Sequence, residues 1–559
     1  MEARAVALAG APEGQAEELV PNAAFFRPRL DDELLDTRLR AVGQVSRVAN
    51  VDEAEESSFL FRDVEVASQV RDDTAETPDR APVGRQGGPA DAFEDPAHPV
   101  EVRTTGPADS QVGTGHRAAF LVRDEGTQEQ ALEPRSRPGQ TGARVATRIE
   151  SLSYGPHAVA RVDGKVHFVR QAAPGDLVEL AVREDRGTYS FSEVAALLEP
   201  GPARRLPPCP YLPRCGGCPW QHVRYEVQLR AKEELVRELL GRIGGFERPP
   251  VGPVVPSARE FEYRRRLSLR VEGRRVGYFA AASHELVPVS ECLLGRGPLR
   301  RILPLVQEWV SRTKSLVKRV EVYLSDRDEI GFAAEAEGGF AEEDREVSAA
   351  FVEKGGNVVG IVGQGRLLAG RARVGYAVPG AGVLEVTLGT FVQVHPEQNE
   401  RLVSLVLEFA ELSGAEEVLE FYAGFGNLSF PLARHAGSVH AVERSRQAVE
   451  DARENARRLG VRNVRFSCAD AGRFAARHRE EISGADVVVL DPPRSGAAEL
   501  VPSLLEASPR TIVYVSCNPS TLARDLRSLA SRYRLVEVRP VDFFPQTYHV
   551  EVVARLERE

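Results

Sequence analysis

Glu417-Val-Leu-Glu-Phe-Tyr-Ala-Gly-Phe-Gly-Asn-Leu428 is the stretch whose reading decides the fold. Residues 417–422 suit a buried strand, the glycine-rich 423–427 suit a tight turn, and Leu428–His435 suits a helix. Glycines after a strand let the backbone approach a ligand closely. The next strand-like run, Ser438–Val442, ends in Glu443, 19 residues after Gly424, a spacing that lets a carboxylate accept hydrogen bonds from ribose hydroxyls. A plain structural turn or a dinucleotide site explains this much equally well, although Ser429 stands where the dinucleotide fingerprint has its third glycine. Two more runs, Val464–Ser467 and Asp486–Leu490, lead to Asp470 and Asp491. Three successive strands ending in acids at one edge point to a nucleoside cofactor. The strand–helix alternation from Phe391 onward makes this region α/β with a parallel sheet.

Working outward, the strand Thr511–Val515 delivers Ser516-Cys517-Asn518-Pro519 to the same edge. A thiol followed by a turn-forming Asn-Pro is lifted toward the cleft. The competing reading is a buried structural cysteine, which we prefer for Cys468 because no such turn follows it. A terminal strand, Thr547–Val553, carries Glu551 in an apolar run, as either a base or an edge-strand surface charge.

Toward the N-terminus, Ile149–Val162, Lys165–Val169, Leu177–Arg183 and Ser190–Leu198 are short strand-like runs separated by glycines, which suggests a small β-barrel. Cys209, Cys215 and Cys218 form a tight trio, with Cys292 further on. Four such thiols suggest a metal site, and the spacing leaves zinc and iron–sulfur equally open. A helix is predicted over Tyr225–Ile243, with Leu229, Leu235, Val236, Leu239 and Leu240 as its apolar set. Residues 255–390 read as β-rich, with an acidic helical insertion near Glu335–Phe351. Arg259–Arg275 holds seven arginines against three glutamates, with Phe261, Tyr263, Tyr278 and Phe279 in or beside it. Arginines with aromatics suit single-stranded RNA, and a solvated hairpin face is the plainer reading.

The 559-residue chain has a formal net charge of −10, so any nucleic-acid partner must be read locally. No apolar run is long enough for a membrane span, and no apolar leader follows the first residues, so no secretory signal is expected. Six cysteines do not make a disulfide scaffold, which suggests a reducing, cytoplasmic compartment. Residues 1–143 are rich in Pro, Gly and charge without apolar periodicity, and are expected to be a disordered extension. Met1 is the sole methionine, which raises the alternative of a start further along at a non-AUG codon.

Asp491-Pro-Pro-Arg494, Val515-Ser-Cys-Asn-Pro519, His549-Val-Glu551 and Phe391-Val-Gln-Val394 together resemble the RNA uracil-C5 methyltransferase family over about residues 144–559. The resemblance implies a Rossmann-like methyltransferase domain at 391–559, an iron–sulfur segment and β-rich central domain at 201–390, and a TRAM-like RNA-binding barrel at 144–200. It implies Cys517 as nucleophile and Glu551 as general base. Gln393, Tyr422, Asn427, Glu443, Asp470 and Asp491 would surround S-adenosylmethionine. Cys209, Cys215, Cys218 and Cys292 would hold a [4Fe-4S] cluster, as in the ribosomal branch, whose substrate is 23S rRNA. The chemistry needs these residue types: a thiolate adding to C6 of uracil makes C5 nucleophilic, and a base must then remove the C5 proton before the thiol leaves. The transfer-RNA branch generally lacks the barrel and the cysteine quartet. An adenine amino-methyltransferase has an aromatic where Arg494 stands. A vestigial RNA-binding iron–sulfur protein would not need the intact Cys517, Glu551 and Asp491.

Overall fold

The computed structural model describes residues 144–354 and 356–559. The extension expected at 1–143 lies outside the described residues. Five strands, β1 (Val145–Leu152), β2 (His157–Val162), β3 (Lys165–Arg170), β4 (Leu177–Asp185) and β5 (Tyr189–Glu199), close a barrel in the order β1-β2-β3-β5-β4. The single run expected over Ile149–Val162 is therefore a hairpin, β1 pairing antiparallel with β2. Where the chain leaves the barrel, a side chain at Gly201 would sit 2.3 Å from the Gly175 backbone, so only glycine fits there.

A second sheet contains β6 (Arg266–Glu272), β7 (Arg275–Phe279), β8 (Leu286–Pro288), β9 (Val317–Leu324), β10 (Ile330–Ala336), β11 (Val358–Gly363) and β12 (Arg366–Gly370). Its order is β12-β11-β10-β9-β6-β7-β8. The helix Leu303–Arg312 packs Leu303, Val306, Trp309 and Val310 against it. The acidic helix is displaced from its expected place: Glu335 belongs to β10, and the helix covers Glu343–Lys354. A hairpin, β13 (Arg373–Val378) and β14 (Gly382–Thr387), follows.

The third sheet positions the site. It contains β15 (Glu417–Phe421), β16 (Ser438–Glu443), β17 (Val464–Cys468), β18 (Val487–Leu490), β19 (Thr511–Ser516), β20 (Tyr533–Val541) and β21 (Glu551–Arg558), in the order β17-β16-β15-β18-β19-β21-β20. The first five in that order are parallel, and β21 is antiparallel to both its neighbours. The central strand β18 is apolar throughout because both its faces are buried. Along β18, Val488 and Leu490 enter one apolar layer while Val487 and Val489 enter the other. Chain order reverses between β15 and β18, which opens a crevice at their carboxyl ends.

Two local expectations are corrected. β15 stops at Phe421, because Tyr422 adopts a left-handed backbone with φ 65° that no strand accepts. The last strand begins at Glu551 rather than Thr547, because Asp542–Val550 is a connection anchored from outside the sheet. The helix Tyr225–Arg242 packs Val236 and Leu240 into the same core as β15 and β18. Gln228 and Lys232 are also wholly buried on it, so its apolar set is not the whole of its inward face.

Candidate active site

The sheet register brings Cys517 and Glu551 together. Ser516, the last residue of β19, pairs with Val552, so one step further Cys517 faces Glu551 across the antiparallel pair. Glu551 is buried and pairs on its other side with Val541. Asp491 and Arg494, beyond the end of neighbouring β18, complete the cluster. Asn518 holds this arrangement locally. Its amide donates to the Arg494 carbonyl at 3.0 Å, and its side-chain oxygen accepts from Ser520 N at 3.1 Å, capping the helix Pro519–Leu529. Arg494 reaches the His549 ring at 3.4 Å.

Burial and mutual repulsion govern the charges here. The Cys517 thiol is pushed up to about 12, first by burial, then by the Glu551 and Asp491 carboxylates, while the Arg494 guanidinium opposes them. Burial and Asp491 hold Glu551 well above the carboxylate range. Asp491 itself is raised to about 7 by burial and by Glu443. A thiol, two protonatable carboxyls and one cation thus share a single neighbourhood.

The glycine turn lies at the same edge. Gly424 and Gly426 both have positive φ, and a side chain on Gly424 would meet nothing, so the turn stands open. Glu443 accepts from Gly424 N at 3.0 Å and Ser445 N at 2.7 Å, and its carboxylate oxygens keep further lone pairs for a ligand. Asn427 exchanges two amide hydrogen bonds with Asn399, at 2.8 and 2.9 Å. Gln393 and Asn427 line one small recess with Asn399 and Phe425. Asp470 is exposed and caps the helix Ala471–Arg477 through Arg473 N at 3.0 Å. The Tyr422 hydroxyl donates to Glu499, and Asp470 lies near enough to act on it.

Sequence reading missed Glu420. It is buried in β15, raised to about 8 by burial, and one carboxylate oxygen has no hydrogen-bond partner. The hydroxyl of Ser429, at the helix start after the turn, acts on this carboxyl and opposes the rise. An open glycine turn beside a buried carboxyl with one unpartnered oxygen fits a polar cofactor. A lone carboxylate within Val418–Phe421 was the available signal.

The four cysteines converge. Cys292 acts electrostatically on Cys209 and Cys218, and Cys209 and Cys215 both act on Cys218. Their loops are stitched together: Cys215 bridges to Ala280, Gly216 N donates to Phe279 O at 3.0 Å, and the Tyr211 and Ser290 hydroxyls meet at 2.7 Å. The buried Tyr278 hydroxyl lies against Cys292, and Cys215 also acts on it. Among the described residues, no three His, Cys, Asp or Glu side chains close on one point as ligands of a single ion would. Four neighbouring thiols are the donor type that a thiolate-bound cluster takes.

Part of the arginine-rich segment is structural. Arg265 is buried, paired with Asp326 at 3.1 Å, and its guanidinium lies 5.1 Å from the Tyr376 ring centroid. Arg274 donates to the carbonyls of Val310, Ser311 and Thr313, which end a helix. Tyr263 is fully buried. The expectation that this whole segment forms an RNA face is therefore corrected: alternate residues of β6 and its approach point into the core. Arg266 lies 5.0 Å from the ring of exposed Phe391, two residues before Gln393.

A family model described as tRNA (uracil-5-)-methyltransferase matches residues 383–559. An uncharacterized RNA methyltransferase of Gloeobacter violaceus is 35% identical over 452 residues, covering 75% of this chain and 97% of that one. The 23S rRNA (uracil(1939)-C(5))-methyltransferase RlmD of Pseudomonas putida is 35% identical over 429 residues, covering 74% and 94%. The chain belongs to the RNA uracil-5-methyltransferase family. This methyltransferase shares its fold with a crystal structure of Pyrococcus abyssi tRNA (uracil-54, C5)-methyltransferase in complex with S-adenosyl-L-homocysteine. The TM-score is 0.57 at 24% identity, covering 73% of this chain and 99% of that chain. The sheet with its open glycine turn is thus that of an α/β methyltransferase fold. No helix among the described residues is long and apolar enough to cross a membrane.

Proposed function

We propose that this methyltransferase converts a uridine of 23S rRNA to 5-methyluridine through a covalent adduct on Cys517. The observation that carries the reading is the register placing Cys517 opposite Glu551, with Asp491 and Arg494 beside them. Cys517 Sγ adds to C6 of the uracil, and the C5–C6 double bond becomes an enolate that Arg494 faces as the nearby cation. S-adenosylmethionine, when bound, supplies the methyl group that C5 acquires. Glu551 then takes the C5 proton, the C5–C6 double bond re-forms, and the Cys517 thiolate leaves. Glu443, Asp470, Asn427, Gln393 and Tyr422 would hold the methyl donor, with Glu443 on the ribose. Asp491 would meet donor and base together.

The ribosomal assignment is supported by the RlmD relatives and by the convergence of Cys209, Cys215, Cys218 and Cys292. We read these as ligands of a [4Fe-4S] cluster. The barrel is read as a TRAM module for RNA, the chain as four parts (1–143, 144–200, 201–390 and 391–559), and its compartment as the cytoplasm.

The test is denaturing-gel detection of a covalent complex with 5-fluorouracil-containing 23S rRNA. Wild type should give the adduct and Cys517→Ala none. With unsubstituted RNA, Glu551→Gln should accumulate the methylated adduct. Methylation by Cys517→Ala would overturn the mechanism.

A further inference from the structure

The connection between β20 and β21 leads directly into Glu551, and it is fixed almost entirely from elsewhere in the chain. Asp542 is fully buried. Its carboxylate accepts from Lys232 Nζ at 2.5 Å and from the Tyr225 hydroxyl at 2.7 Å. Lys232, also fully buried, donates in addition to the Phe544 carbonyl at 3.1 Å. The Tyr263 hydroxyl donates to the Pro545 carbonyl at 3.1 Å. Gln546 has a left-handed backbone, φ 75°, and is gripped on every side. Its N–H donates to Gln228 Oε1 at 2.9 Å, and its carbonyl accepts from Trp220 N at 3.0 Å. Its side-chain oxygen accepts from Arg205 at 2.6 Å and Gln228 Nε2 at 3.0 Å. Its side-chain amide donates to the Glu260 carbonyl at 3.2 Å.

Tyr225, Gln228 and Lys232 are three and four residues apart and therefore share one face of the helix Tyr225–Arg242. Trp220 lies two residues after Cys218, and Gln221 accepts from Cys209 N at 3.0 Å, so the same network continues into the cysteine loops. A buried ion pair of this kind is poorly explained as a source of stability, since apolar residues of similar volume often do as well; fixing one register is its best-attested use.

We propose that Gln228, Lys232, Asp542 and Gln546 are positioning residues that set the Glu551 carboxylate for proton removal. Through them the cysteine-bearing segment governs the release step rather than the addition step. The inference rests on the reading of Glu551 as general base. Cys517 is placed by β19 and by Asn518, whose side-chain hydrogen bonds run to Arg494 and Ser520 and not to Gln228, Lys232, Asp542 or Gln546. Loosening the connection should therefore leave adduct formation largely intact and slow its resolution.

The test uses the full chain, S-adenosylmethionine and transcribed, unmodified 23S rRNA. Adduct formation and product release are followed separately in single turnovers. Gln546→Gly keeps the left-handed backbone and removes the side-chain ties, so it should fold. Because a misplacement of about 1 Å can cost on the order of 10²-fold, release should slow by about 10- to 100-fold, with methylated adduct accumulating and its formation changed by less than about threefold. Lys232→Met combined with Asp542→Asn removes the ion pair without leaving a lone buried charge, and should give the same split. Release at the wild-type rate in both variants would overturn the proposal, and so would equal slowing of both steps. If Glu551→Gln itself fails to trap adduct, the underlying assignment of the base is what falls.

Discussion

Glu420 shows how far a single side chain can depart from its ordinary chemistry. Its carboxyl is raised to about 8 because the protonated form suits its buried place in β15. The folded state therefore holds this proton more tightly than the unfolded chain does. Its stabilising contribution is complete below the unfolded value near 4.5 and is lost as pH rises through about 8. Glu420→Gln mimics the protonated form. It should be nearly neutral at pH 5 and stabilise the ligand-free protein by on the order of 3 kcal/mol at pH 8. Thermal unfolding at the two pH values checks this, and equal effects at both would contradict it. Residue by residue, the sequence was most legible in position: Cys517, Glu443 and Asp491 stand at the strand ends where strand-then-acid or strand-then-thiol order put them. Glu420 was not legible, because a carboxylate inside a strand is ordinarily a face turned to water.

At the scale of elements, Asn518 joins two functions, capping a helix and tethering the Arg494 turn. Asn518→Ala should cost about 1 kcal/mol in unfolding free energy and also slow adduct formation. Asn518→Asp keeps the cap oxygen but loses the donor to Arg494. Stability should then recover while the rate of adduct formation does not. Recovery of both would mean that the tether is unimportant. Elements were legible where periodicity is strong: the parallel strands and the helix Tyr225–Arg242 stand where the pattern placed them. The same helix also shows the limit. Gln228, Lys232, Leu235 and Leu239 form one continuous stripe, but polar members of a stripe are read as its edge unless their distant partners are known. Those partners, Gln546 and Asp542, lie more than 300 residues away. Arg265 and Arg274 were misread for the complementary reason: composition cannot tell a guanidinium facing RNA from one paired in the core or closing a helix end.

For the whole molecule, the cysteine quartet makes a prediction independent of catalysis. Protein purified without oxygen should be brown and contain about four irons per chain. Loss of colour in Cys292→Ser, with stoichiometric iron in wild type, would support the assignment; stoichiometric zinc without iron would overturn it. The sheet order carries one more consequence. β21 is made after β20 but lies between β19 and β20. Both older strands must leave a slot for a newcomer that brings Glu551 at its leading end. A nascent chain still short of this insertion presents its thiol with no carboxylate across from it. By the mechanism proposed above, such a chain lacks the base that resolves an adduct, so the release step is the last part of the site to be completed.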